Sequence, residues 1–154
     1  MTRYAAETSV SVEKSRMEIE RILARYGADA FAYYSEANRA MIAFRIEGRQ
    51  IKFILTLPEK TLREFTHHSR GVRTTDAALT AWEQACRQRW RALALVIKAK
   101  LEAVAAGITT IEDEFLAHTV LPDGRTVGEW AKPELDEAYR LGHMPQQLLL
   151  TSAA

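Results

Sequence analysis

The sequence predicts an α+β fold: an N-terminal helix, a three-stranded antiparallel meander, a long amphipathic helix and a short-helix C-terminal extension. Two observations carry this reading. The hydrophobic period changes from helical to alternating after Gly27 and returns to helical near Asp76. The stretch between is rich in aromatic and β-branched residues and broken by turn-forming pairs. At 154 residues, with 47% apolar and 27% charged side chains, the chain suits one domain with a genuine core and is short for two. Residues 1–154 are therefore read as a single domain, with 1–107 as a helix–sheet–helix core and 108–154 as an acidic helical extension.

Ser11 is placed to cap a helix from Val12, with Val12, Ile19, Ile22, Leu23 and Tyr26 near helical spacing and Gly27 as its stop. Strands are expected over 31–35, 39–47 and 50–57, joined by hairpin turns at Ala37-Asn38 and Gly48-Arg49. Ile42, Phe44 and Ile46, with Ile51, Phe53, Leu55 and Leu57, give one greasy sheet face, and the other is mixed and basic. Pro58 ends the last strand, and residues 59–75 read as an irregular basic loop.

The longest element is expected from about Asp76 to Ala106, closed by Gly107. Its stripe of Leu79, Trp82, Cys86, Trp90, Leu93, Ile97, Leu101 and Val104 steps by threes and fours. At 1.5 Å per residue it spans roughly 45 Å, more than a small sheet can cover. The overhang calls for the C-terminal segment folded back, or for a second subunit in a homodimer. Thr110 is placed to cap a short acidic helix over 111–116, Pro122-Asp123-Gly124 marks a turn, Thr126 and Glu129 have capping-box spacing, and Pro133 is read as opening a last helix that ends near Gly142. The tail from His143 has no clear period.

Charge is segregated along the chain. From Arg39 to Lys100 there are 13 Lys/Arg against 5 Asp/Glu, whereas from Leu101 onward there are 3 against 9. Such asymmetry points to an anionic partner or to mutual neutralisation within one globule. On the long helix Arg87, Arg91 and Lys98 share a side. The mixed sheet face adds Arg45 and Lys52, and the basic loop adds Arg70 and Arg73. These seven residues are the candidate phosphate- or partner-binding set, because long cations on an accessible surface are what backbone phosphates require.

Other chemistry finds little footing. The single Cys86 excludes an internal disulfide and a Cys-based zinc site, fits a reducing compartment, and lies on the apolar stripe as an inert thiol. His67 and His68, with Glu64 nearby, read as a solvated pair with no third ligand. As a weaker alternative they could serve a nucleotide-binding or hydrolysing site. Glu112, Asp113 and Glu114 are explained as an acidic first turn. No phosphate-cradling glycine loop or nucleophile elbow is present, so the chain is read as non-enzymatic, with no cofactor and no metal. No stretch resembles a signal peptide or a bilayer span, so host-cell cytoplasm and no membrane are expected.

Two resemblances add expectations. The order helix, three antiparallel strands, helix resembles the topology of double-stranded RNA-binding domains. That family's second helix follows the sheet closely and opens with a lysine cluster, whereas here residues 58–75 intervene and the helix opens Asp76-Ala77-Ala78, so no site residue is carried over. More specifically, SVEKSRMEIERILARYGADAFAY and WEQACRQRWRALALVIKAKLEAVAAGITTIEDEFLAHTVLPDGRTVGEW are similar to the two halves of small proteins carried by tailed phages and prophages. That resemblance implies a mobile-element origin and cytoplasmic action. The expected function is a phage accessory protein that engages nucleic acid, or a nucleic-acid-handling complex, through its basic middle. The alternative is an inhibitor of a host defence protein, its acidic segment from Glu112 to Glu137 mimicking phosphate.

Overall fold

The computed structural model describes residues 5–144, and the aperiodic tail past Met144 lies outside them. Helix α1 spans Val12–Arg25, and its N-cap Ser11 Oγ accepts from the Lys14 amide at 3.2 Å. Gly27, at φ +99°, ends it in a conformation that costs a glycine little. Ser15, Ile19, Ile22 and Leu23 are its buried face.

Strands β1 (Ala30–Ser35), β2 (Arg39–Ile46) and β3 (Arg49–Thr56) form the antiparallel sheet β1-β2-β3. Its register sets Tyr33 opposite Ile42, which faces Phe53, and Phe31 opposite Phe44, which faces Ile51. The second turn falls one residue earlier than expected. Glu47 and Gly48 occupy it at φ +50° and +75°, while Arg49 already pairs with Ile46. Two consecutive positive φ values suit the right-handed strand twist, and this register keeps Ile46 and Ile51 on the buried face. Ile42, Phe44, Ile46, Ile51, Phe53 and Leu57 are buried and Leu55 is half-buried, whereas Tyr34, Arg45 and Ile54 on the opposite face are exposed.

After β3, residues 59–75 are more ordered than an irregular loop. They form the one-turn helix α2 (Arg63–Thr66) and the two-residue strands β4 (His67–His68) and β5 (Gly71–Val72), which pair antiparallel. Three contacts hold them on the next helix and on each other. Phe65 is buried, Trp82 Nε1 donates to the Pro58 carbonyl at 2.7 Å, and the Arg73 guanidinium donates to the carbonyls of Glu64 and Phe65, both at 3.1 Å.

Helix α3 runs Thr75–Ala105, 31 residues, with Cys86, Trp90, Ala94, Ile97 and Leu101 buried. Trp90 meets Tyr33 with ring centroids 5.6 Å apart. Gly107 follows the helix at φ +75°, and the chain then turns back. Helix α4 (Ile111–Glu114) and a 3-10 turn (Leu116–His118) bracket Phe115. That ring is fully buried, edge-on to Phe44 at 5.7 Å and to Phe53 at 6.1 Å. Lys100 Nζ reaches Glu114 at 3.0 Å. Of the two ways to cover the overhanging helix, the folded-back C-terminal segment is thus present within one chain. Val120 then donates to the Gln50 carbonyl at 2.8 Å, attaching this segment to the β3 edge.

Helix α5 is continuous over Val127–Leu141, with Pro133 inside it instead of at its start. The capping box explains the difference: the Glu129 amide donates to Thr126 Oγ1 at 3.1 Å and the Thr126 amide to Glu129 Oε2 at 3.0 Å. With the first turn fixed there, the proline only removes one bond from a helix already nucleated. None of the described helices is long and apolar enough to cross a membrane.

Phe115→Ala should lower unfolding free energy by about 3–5 kcal/mol, the range for truncating a buried aromatic, as read by urea denaturation. An effect below ~1 kcal/mol would show that the extension is not part of the core. Ser15 supplies a test of opposite sign. It is fully buried and its hydroxyl has no hydrogen-bond partner, so Ser15→Ala should raise stability by about 1 kcal/mol in the same assay.

Candidate functional site

The seven cations singled out in the sequence do not converge on one surface. Arg45 and Lys52 do sit together on the open sheet face, lining a shallow depression of about 230 Å³ with Ala32, Ala43 and Val120. Both are engaged: Arg45 Nε donates to Asp29 Oδ1 at 2.7 Å, and Lys52 Nζ to the Gly124 carbonyl at 3.2 Å. The Arg45 hydrogen bond holds the Asp29 carboxyl below its ordinary range. Arg73 binds the α2 carbonyls, as above, and Arg70 is exposed on the β4–β5 hairpin.

On α3 the expected basic side is turned inward over part of its length. Arg87 donates through Nε and Nη2 to Gln84 Oε1 at 3.0 and 2.6 Å, and Gln84 in turn donates to the carbonyls of Ala6 and Thr8. This pair anchors the segment ahead of α1. Arg91 is ion-paired with Glu18 of α1. Lys98 faces a groove between α1 and α3.

That groove holds about 630 Å³ and is lined by Lys14, Arg21 and Arg25 from α1 and by Lys98 from α3, together with Met17, Glu18, Tyr26 and Glu102. The three α1 cations stand at i, i+7 and i+11, within an arc of about 40° at 100° per residue, on the flank of the buried stripe. They span ~16 Å along the helix axis. None of the four cations is in an ion pair among the described residues, whereas Glu18 is neutralised by Arg91 and Glu102 accepts from the Tyr26 hydroxyl at 3.5 Å. Four unpaired cations therefore face one carboxylate that lacks a cationic partner. Sequence reasoning missed the α1 residues because their segment is nearly neutral overall. The usable signal was the i, i+7, i+11 spacing.

The titratable singletons are embedded in local structure. His67 Nδ1 lies 2.8 Å from Thr66 Oγ1, and His68 Nδ1 accepts from the Arg70 amide at 3.0 Å. No cluster of three His, Cys, Asp or Glu side chains suited to a metal occurs among the described residues. Cys86 is buried, and desolvation pushes its thiol up, which lowers its reactivity. His118 closes the 3-10 turn. It stacks on Phe53 at 3.9 Å, and its imidazole is pushed below the ordinary histidine value, first by burial and then by Lys100.

No protein-family model matches the chain, and neither the curated proteins nor the solved structures offer a significant match. The functional reading accordingly rests on the geometry of the site itself.

His118 makes the fold pH-sensitive in a defined direction. Its folded pKa is depressed, so between the unfolded value near 6.5 and the lower folded one the unfolded chain binds more protons. Stability contributed by the neutral ring is full above about pH 6.5 and is lost as pH falls through that window. Thermal melts of His118→Gln should show a smaller drop between neutral and mildly acidic pH than the parent chain. An unchanged pH slope would remove His118 as the cause.

Proposed function

We propose that this protein binds nucleic acid through its phosphate backbone, held in the groove between α1 and α3. The observation that carries the reading is the convergence of Lys14, Arg21, Arg25 and Lys98, none of them ion-paired among the described residues, on one groove. Cations already paired to carboxylates cannot neutralise phosphates without first breaking those pairs, which is why Arg45 and Arg91 are weaker candidates than their exposure in sequence suggested. A span of ~16 Å corresponds to about five base-pair steps along a duplex axis, at 3.4 Å rise per step. No base-reading element accompanies these cations among the described residues, so binding is expected to be largely independent of sequence. A backbone binder of this kind would suit the accessory role in a host cytoplasm that is expected of a tailed-phage protein.

The rival reading, phosphate mimicry by the acidic extension, is less well supported because several of those carboxylates are occupied within the chain. Glu112 pairs with Arg49 at 3.3 Å, Glu114 with Lys100 at 3.0 Å, Asp123 with Arg125 at 2.8 Å and Glu137 with Arg140 at 2.5 Å.

Fluorescence anisotropy with labelled single- and double-stranded oligonucleotides tests the proposal. The logarithm of affinity should fall linearly with the logarithm of salt, with a slope of about −3 if four phosphates are neutralised. Lys14→Glu, Arg21→Glu and Arg25→Glu combined should weaken binding at least ~30-fold and flatten that slope, while Arg45→Glu should change it only a few-fold. Absence of binding to every oligonucleotide at low salt, or full binding by the triple variant, would refute the assignment.

A further inference from the structure

We propose that the chain forms a reciprocal homodimer in which α5 of each copy lies in an apolar groove beside α3 of the other. The argument begins with α5. Its main packing partner is the 3-10 turn, none of its described residues is buried, and its large apolar side chains stand in solvent: Trp130 is 47% exposed, Leu135 54% and Tyr139 87%. Leu135 and Tyr139 are one turn apart, and Ala131 continues the same stripe toward the N-terminus of the helix. Such i, i+4 anchors are what a helix presents to a hydrophobic groove.

A groove of fitting character lies elsewhere on the same chain. Leu55, Pro58, Phe65, Ala92, Leu93 and Val96 line a cleft of about 450 Å³ between α3 and the segment after β3, and no residue of α5 contributes to its lining. Val96, on its rim, is 44% exposed. An apolar cleft and an apolar helix face left open on one chain both mark interaction surfaces.

Charge selects a second copy as the occupant. Arg89 in the cleft has no carboxylate partner among the described residues, and a neighbouring pocket along α3 adds Lys60 and Arg73, against the single carboxylate of Glu64. Helix α5 carries Glu129, Glu134, Asp136 and Glu137 against Lys132 and Arg140, a net −2, and neither Glu134 nor Asp136 is in an ion pair among the described residues. An acidic amphipathic helix and an apolar cleft flanked by the cations of the neighbouring pocket are thus complementary, and both belong to this chain. A two-fold arrangement uses each twice and leaves neither open, so the assembly closes at two copies instead of growing into a filament. This pairing goes beyond the nucleic-acid reading and does not depend on it, because the cationic groove is lined by other residues.

Sedimentation velocity and light scattering of the full chain, from low to high micromolar concentration, are the test. The expected mass is twice 17.4 kDa. Leu135→Asp with Tyr139→Asp should yield a monomer with unchanged circular dichroism, since both side chains are exposed, and a melting temperature that no longer rises with protein concentration, and Val96→Asp should do the same from the other side of the contact. Arg89→Glu should weaken the dimer at least ~10-fold, and adding Glu134→Arg and Asp136→Arg should recover most of that loss. A wild-type monomer at every concentration would overturn the proposal and leave the two surfaces to a different protein. A dimer that survives both apolar variants would overturn it as well.

Discussion

A helix longer than the sheet it covers is the constraint from which most of this structure follows. Helix α3 has 31 residues, about 46 Å, whereas the eight residues of β2 and of β3 extend only ~26 Å. Trp90, Ala94, Ile97 and Leu101 are buried over the helix's distal part, and the rest needs other cover. The chain answers at both ends. Before the helix, α2 places Phe65 beside its middle turns, and the chain just after β3 places the Pro58 carbonyl on Trp82. After it, the reversal at Gly107 returns Phe115 to fill the space among Phe44, Phe53 and the helix. Helix α1 completes the layer, its face of Ile19, Ile22 and Leu23 lying alongside α3.

The same constraint explains what was legible in the sequence. A long stripe such as that of α3 repeats often enough to be recognised from spacing alone, and alternation in β2 and β3 is enforced because one face is buried. Caps were legible too, since Ser11, Thr110 and Thr126 act locally. Two-residue strands carry no period, so the hairpin within 59–75 was hidden. Pro133 was misplaced because a proline suits a first turn, and only the capping box upstream shows that the helix had already begun. The candidate site suffered most. Arg91 and Glu18 are 73 positions apart, so no local pattern could reveal that this cation is already paired.

Charge segregation along the chain and charge distribution on the surface are different quantities. The basic middle and the acidic extension meet through Arg49–Glu112 and Lys100–Glu114, so part of the asymmetry is consumed at their junction. What remains exposed is set by which residues lack a nearby opposite charge. On that criterion the cations of α1 gain importance, although they lie outside the basic segment, and Arg91 of mid-α3 loses it to Glu18.

The Glu18–Arg91 pair is the point at which packing and function join. It ties α1 to α3, each a carrier of groove cations, and it neutralises a carboxylate that would otherwise face those cations. Both partners are largely sheltered, with side-chain exposures of 33% and 23%, so the pair is less screened by salt than an exposed one. The groove is therefore built before any anion arrives: the helices that carry Lys14, Arg21, Arg25 and Lys98 are fixed by burial on one side of the interface and by this ion pair on the other. An anion bound there as proposed would order side chains on a frame already set by packing. Under the proposed function, that arrangement would lower the entropic cost of binding and leave the attraction itself dependent on ionic strength.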